Sequence, residues 1–588
     1  MRLKVSRSKN AASLYVTKTI YEGKKQRTIT VEKLGTEKDL REKLNGADPY
    51  EWARQYIEKL NLEEKKLHRE VILKFKQSKL IPLNEQRLFN GGYLFLQQLY
   101  HCLGLPKICS DISSKYKFTY DLDSVLSRLI YGRILYPSSK LSTFEESGRL
   151  LEPPDFQLQH VYRALDVICA EDGYIQSELY KNSKSISKRN DKILFYDCTN
   201  FFFEIEQEDG LKQYGPSKEH RPNPIVEMGL FMDGDGIPLA FSIHPGNKNE
   251  QQTLIPLEEQ IIKDFQHAKF VVCTDAGLSS SDNRKFNNKK DRAFITTQSI
   301  KKLKKHLKEW CLDPAGWKLD GYERDKNGKP ATFNINQLED PELARKFLKS
   351  TFYKERWIKS DGLEQKLIVT FSLKYKFYQQ RIRERQIGRA EKMLESSLSS
   401  LKKHSRNDCK RFIKKTGVTA DGEIAEKEVY ELDQSVIEDE AKYDGFYAVC
   451  TNLEDRPPAI AKINHNRWEI EECFRIMKTD FKSRPAYVYT DTRIKAHFMT
   501  CFLALIIFRY LEKKLEYKYT CEEILDTIRD MNFLKATGEG YIPTYTRTEL
   551  TDCLHEAFGF RTDYQIVSEK QMKKIFRETK MKKSTQKN

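Results

Sequence analysis

An α/β core on a mixed five-stranded sheet, interrupted by an insertion domain and preceded by a small β-rich and a helical module, is the fold class this 588-residue sequence predicts. Three observations carry the prediction. Apolar runs at 192–199, 226–232, 237–243, 269–275 and 292–297 read as strands, several of them too continuous to have a wet face. An amphipathic helix separates the third run from the fourth, and a capped helix the fourth from the fifth. Three strands, helix, strand, helix, strand is the order of a ribonuclease-H-like catalytic core.

The elements follow in order. Residues 1–35 alternate like short strands, with Gly23-Lys24 at a turn, and 36–75 are charged and helical in rhythm, so 1–75 reads as a β-arm and helix. Residues 76–188 form a helical module, with apolar positions three and four apart, broken at Pro137-Ser138 and Pro153-Pro154. The first part of the core is 189–300. Its first apolar run ends in Asp197, and Asp233-Gly-Asp-Gly236 joins the next two strands as a hairpin. Leu254, Leu257, Ile261 and Phe265 make the apolar stripe of the following helix, the fourth run ends in Asp275, and Ser281 or Asp282 caps the second helix.

Residues 301–445 form a basic insertion domain with a long helix around 379–404; 14 basic and 4 acidic residues fall in 374–415. The second part of the core, 446–535, opens with the strand Gly445–Thr451 and continues in a polar helix from near Asn466. A C-terminal region, 536–588, ends in a tail with 7 basic residues and 1 acidic in the last 18.

Composition narrows the function. With 102 Lys and Arg against 85 Asp and Glu, the formal charge is +17, compatible with DNA, RNA, an anionic membrane or simple solubility. The longest clean apolar run, Phe498–Phe508, is 11 residues against the ~20 needed to cross a bilayer, so it reads as a buried helix. No apolar leader follows the charged N-terminus. Twelve cysteines without a CxxC pair or zinc spacing read as reduced thiols, and no P-loop or HExxH motif is present.

The carboxylates hold the chemistry. If the strands ending in Asp197 and Asp275 are parallel neighbours, ~4.8 Å apart, two like charges leave one sheet edge together and need a cation between them. Hard oxygen ligands suit magnesium or manganese; either aspartate alone reads equally well as the start of a turn. On the helix from Asn466, at 100° per residue, Arg467, Arg475 and Lys478 fall within about 40° of Glu471, beside an apolar stripe of Ile470, Phe474 and Met477. A solvated ladder of ion pairs has the same angles.

Arg467-x3-Glu471-x6-Lys478 resembles the Tyr-x2-Arg-x3-Glu-x6-Lys signature of bacterial insertion-sequence DDE transposases, whose ribonuclease-H-like core is split by a β-rich insertion before the third acid. Asp197-Cys-Thr199 resembles the first-acid strand of that family and Asp275-Ala-Gly277-Leu the second. Tyr214-Gly-Pro-Ser-Lys218, Pro238-Leu239, Pro245-Gly-Asn247, Asp444-Gly-Phe446 and Thr451-Asn452 resemble landmarks between them. One departure stands out: Asn464 holds the tyrosine position.

The resemblance implies that Asp197, Asp275 and Glu471 hold two divalent ions, Mg²⁺ with Mn²⁺ able to substitute. It implies cleavage of a phosphodiester at an element end and attack of the freed 3′-OH on target DNA. Arg467 and Lys478 would grip phosphates, with Arg475 and Lys218 further candidates. The modules at 1–75 and 76–188 would read terminal inverted repeats, and the basic insertion would contact phosphates. The implied partners are element-end and target DNA and a second copy of the chain, with no membrane, in a bacterial or archaeal cytoplasm at the nucleoid. A catalytically inactive DNA-binding repressor on the same scaffold and a stand-alone metal-dependent nuclease are the alternatives.

Overall fold

The computed structural model describes residues 1–8, 11–22, 25–67, 71–73, 76–322, 324, 328, 331–395, 408–416 and 429–581. The chain forms two units, 1–85 with 536–539, and 86–535 with 540–588.

In the first unit, β1 (Arg2–Arg7), β2 (Ala12–Glu22) and β3 (Lys25–Thr36) pair antiparallel in that order. The Thr36 hydroxyl accepts from the Asp39 amide and so caps the helix Glu37–Lys43. A second helix, Pro49–Leu67, brings Ala53 against Leu14 and Leu40. The expected turn at Gly23-Lys24 lies outside the described residues, as do 68–70 and 74–75 of the helical stretch.

The second unit begins with β4 (Leu88–Asn90) and six helices between Tyr93 and Ser183. The central sheet follows: β5 (Ile193–Phe202), β6 (Ile225–Asp233), β7 (Pro238–Pro245), β8 (Phe270–Thr274), β9 (Arg292–Thr297), β10 (Lys318–Leu319), β11 (Phe352–Ser360) and β12 (Leu363–Phe371). Away from that sheet, β13 (Ile413–Thr416) pairs with β14 (Val429–Leu432); β15 (Phe446–Thr451) returns to it. Last come β16 (Asn532–Ala536) and β17 (Gly540–Pro543), in a three-stranded sheet ordered β17-β16-β4.

The central sheet has nine strands, ordered β10-β11-β12-β15-β9-β8-β5-β6-β7. Only β5–β8 and β8–β9 are parallel. The five expected strands stand together as β9-β8-β5-β6-β7, so a five-stranded sheet is corrected to nine by three strands of the expected insertion, β10, β11 and β12, and by β15 of the second core part. β12 runs antiparallel along β15, from Lys366–Thr451 to Phe371–Phe446, and covers an edge that would otherwise expose unpaired backbone groups. The sequence hid this strand because Gln365 and Lys366 interrupt it. Both are buried, and Lys366 Nζ donates to the carbonyls of Glu454 and Asp455.

Helices cover both faces. Leu254, Leu257, Ile261 and Phe265 of the helix Leu254–Asp264 and its C-cap pack with Leu194, Tyr196 and Phe231. On the opposite face lies the helix Asp491–Lys514, long and apolar enough to cross a membrane, yet 94% of its most apolar window is buried inside the protein. The second expected helix, Ser281–Phe286, is capped by Ser280 rather than Ser281 or Asp282.

Candidate active site

Asp197 does not end its strand. β5 stays paired with β6 as far as Phe202, but its parallel pairing with β8 stops at Phe195–Cys273. Asp197 therefore sits where the β8 side of β5 falls open. The register that matches Phe195 with Cys273 brings Asp197 level with Asp275, two residues on in each chain direction and directly after β8. Asp275 Oδ1 accepts from the Leu278 amide at 2.9 Å, and its carbonyl accepts from Thr296 Oγ1 at 3.2 Å. Asp197 Oδ1 accepts from the Cys198 amide at 2.8 Å. Burial pushes the Asp197 carboxyl up to about 6, and Asp275 adds to the rise against the pull of Lys218, the Cys198 amide and Arg467.

The third acid arrives on a separate helix. Pro457–His465 carries Asn464, Arg467 links it to Trp468–Arg475, and that helix continues in a π-helical turn, Ile476–Asp480. Ile470, Phe474 and Met477 are buried, as the apolar stripe predicts. Arg467 Nη1 stands 3.7 Å from Asp197 Oδ2 and 3.6 Å from Glu471 Oε1, so one guanidinium joins the strand carboxylate to the helix carboxylate. Burial works against its charge, but Asp197, Tyr447, Asp275 and Glu471 more than offset that and raise its pKa. The Glu471 side chain is 62% exposed.

Lys218 joins this group from the loop after β5. Its Nζ donates to the Cys198 carbonyl at 2.5 Å and pairs with Glu250 at 2.8 Å. Glu227, buried on β6, lies beside the pair; burial first and Glu250 second raise its carboxyl strongly, and its Oε1 has no hydrogen-bond partner among the described residues. The sequence held a signal for Glu227, a lone charge inside an apolar strand, and it was missed. Glu250 carried no such signal on its polar turn.

Among the described residues neither Lys478 nor Arg475 pairs with Glu471. The wider π turn changes the angular step after Arg475, and Lys478 lies over the Phe201 ring with its Nζ 3.4 Å from Glu219. Burial lowers Lys478 to about 8, with Lys218 adding to it. Arg475 pairs with Glu472 at 2.6 Å and Asp480 at 3.1 Å instead. It lines a 730 Å³ cleft with Asp480, Arg149, Arg529, Glu522 and Asp526, whose charges oppose one another.

A family model described as a transposase DDE domain matches residues 188–507. The chain belongs to that family. The match spans Asp197, Asp275 and Glu471 and the inserted strands between the last two. No curated protein matches this DDE transposase. Among solved structures, a cryo-EM structure of a piggyBac transposase synaptic complex with hairpin DNA aligns over 83% of this chain and 90% of that one. The two share 8% identity at a TM-score of 0.35.

A second charged feature of the transposase leaves the same sheet edge. β8 and β9 end there together, β15 begins there, and β12 ends there opposite Phe446. The helix Leu373–Glu395 springs directly from β12. At 100° per residue, Lys374, Tyr378, Arg381, Arg385, Arg389 and Lys392 share about 80° of its circumference. All six are exposed, and Glu384, Glu391 and Glu395 lie off to one side of them. Residues 396–404, the rest of the expected 379–404 helix, lie outside the described residues.

Proposed function

We propose that this chain is a DNA transposase of an insertion element, built on a ribonuclease-H-like core, that cuts element ends and joins them to target DNA. The reading rests on one relationship: Asp197 and Asp275 level on adjacent parallel strands, with Arg467 tying Glu471 to Asp197. Among the described residues no three His, Cys, Asp or Glu side chains converge as a ready ion cage. The donor chemistry nevertheless fits a hard divalent cation. Two carboxylates share one edge, Asp197 is raised by burial and by its acidic neighbour, and the third carboxylate is exposed on a helix that packs over the same edge.

Asp197, Asp275 and Glu471 would hold Mg²⁺ or Mn²⁺. Bound there, two such ions supply the positive charge that sharpens a water or 3′-OH nucleophile and stabilises the leaving oxygen. The chain's own groups do the rest. Arg467 offsets carboxylate charge at the edge and presents a guanidinium to incoming phosphate. Lys218 holds Glu250 and lies beside Asp197, and Lys478 adds a half-desolvated ammonium on the Phe201 side. The basic stripe of Leu373–Glu395 tracks the DNA backbone away from the cut, giving salt-dependent, sequence-independent affinity. A dimer holds two element ends together.

The test uses a duplex copied from the DNA flanking the gene, with Mg²⁺ or Mn²⁺. Cleavage and joining are expected for the native protein, and Asp197→Asn, Asp275→Asn and Glu471→Gln should each abolish both while the duplex is still bound. Retained cutting removes that residue from the site. Binding without any nick in the native protein would favour a repressor, and cutting without joining a nuclease.

A further inference from the structure

Asn464 stands where the resembling signature has a tyrosine, yet a phenol from β15 reaches its side chain. Tyr447 is the second residue of β15. Alternation along that strand turns Tyr447 and Val449 toward the face covered by the third-acid helix, while Phe446, Ala448 and Cys450 turn to the other core. Asn464 Nδ2 donates to the Tyr447 hydroxyl at 3.0 Å, and Thr297 Oγ1 lies 2.7 Å from it.

Those two partners are themselves fixed to the catalytic edge. Thr296 pairs with Thr274, so Thr297, next along β9, stands level with Asp275. Asn464 Oδ1 accepts from Cys273 Sγ, two residues before Asp275, at 3.5 Å. Arg467 follows Asn464 by less than one helical turn, and Tyr447 is among the groups that act on its guanidinium. The phenol thus lies among the groups that surround the Arg467 guanidinium.

We infer that Tyr447 supplies the phenolic hydroxyl that position 464 lacks, and that it contacts a phosphate of the DNA strand held beside Arg467. A tyrosine hydroxyl has one proton to donate and two lone pairs to accept with. Asn464 fills one lone pair, and either hydroxyl can be the donor between Thr297 and Tyr447; we take Thr297 as the donor in the DNA-bound state, where it fills the other lone pair. The Tyr447 proton is then free for a phosphate oxygen. Asn464 and Thr297 are positioning residues that aim it.

This inference rests on the transposase reading, and its test separates the two. Single-turnover cleavage of the flanking-DNA duplex is measured for native protein, Tyr447→Phe, Tyr447→Asn and the exchange Tyr447→Asn with Asn464→Tyr. Thermal unfolding is followed in parallel. A hydrogen bond to a charged group predicts a loss of about tenfold or more in Tyr447→Phe, measured at a temperature where the variant is fully folded and larger than any change that follows its unfolding midpoint. The exchange should cut faster than Tyr447→Asn alone, because it returns a phenol to that pair of side chains. If the exchange does not fold, Tyr447→Phe decides. Tyr447→Phe cutting at the native rate, or losing rate only in step with its unfolding midpoint, overturns the inference and leaves the transposase reading standing. Native protein that never cuts the duplex overturns both.

Discussion

Arg467 Nη1 lies 3.7 Å from Asp197 Oδ2, and the same nitrogen lies 3.6 Å from Glu471. The Arg467 Nε is buried with no hydrogen-bond partner among the described residues. Removing the cation leaves two carboxylates and a half-desolvated edge with less positive charge to balance them. Arg467→Ala should lower single-turnover cleavage by about a hundredfold, the scale of losing one preorganised electrostatic donor. Arg467→Lys should recover only part of that, since an ammonium can take the place of Nη1 between the two carboxylates but lacks the remaining planar N–H donors with which a guanidinium holds a phosphate. Equal rates in all three proteins would remove Arg467 from the mechanism.

Lys478 and Arg475 separate two readings of one helix. Arg475 is held by Glu472 and Asp480, whereas Lys478 sits over Phe201 near Lys218 and Asp197's strand. Lys478→Ala should weaken binding of element-end DNA by about tenfold, one charged contact's worth. Arg475→Ala should leave that affinity within about twofold and act through its exposed ion pairs, worth about 1 kcal/mol or less. Fluorescence anisotropy on a labelled duplex, with thermal unfolding alongside, distinguishes them.

These contrasts show where the sequence was readable. The order of strands along the chain and both aspartates could be read because buried strands announce themselves as apolar runs, whereas the parallel pairing of β5 with β8 entered only as a condition and its register is visible only in the fold. The helix stripe of Ile470, Phe474 and Met477 followed from ordinary helical spacing. The same spacing did not reveal that Lys478 reaches Glu219 and the Phe201 ring, because a π turn leaves no mark in a six-residue interval. β12 was hidden by Lys366, whose charge looks like solvent exposure but is satisfied by two carbonyls inside the protein. Tyr447 could not be linked to Asn464 from spacing alone, since their contact depends on β15 lying antiparallel to β9.

The basic stripe on Leu373–Glu395 makes a quantitative prediction. Each phosphate neutralised by Lys or Arg on duplex DNA contributes about −0.9 to the slope of log affinity against log salt. Replacing Arg381, Arg385 and Arg389 together by Ala should therefore flatten the slope by about 2.7, equally on element-end and unrelated duplexes. Replacing the exposed acids Glu384, Glu391 and Glu395 by Gln should not reduce it. An unchanged slope in the triple Arg variant would mean that the stripe faces solvent in the complex.

Glu258 gives a pH test that is independent of DNA. Its side chain is fully buried in the helix Leu254–Asp264, and both carboxylate oxygens accept from Asn287 Nδ2, at 2.8 and 3.1 Å. Burial pushes the carboxyl up to about 8, and the Asn287 hydrogen bonds and Arg292 only partly oppose this. The folded pKa is thus above the unfolded one, so the folded state binds this proton more tightly. The resulting stability is complete below the ordinary glutamate range and is lost as pH rises toward 8, at about 1.4 kcal/mol per pH unit crossed. Glu258→Gln keeps the shape and an acceptor for Asn287 but has no proton to lose. Its urea midpoint should exceed the native protein's at pH 8, and the difference should shrink as the buffer is lowered toward pH 5. A midpoint difference that does not change between those pH values would show that Glu258 is ionised in the folded protein throughout.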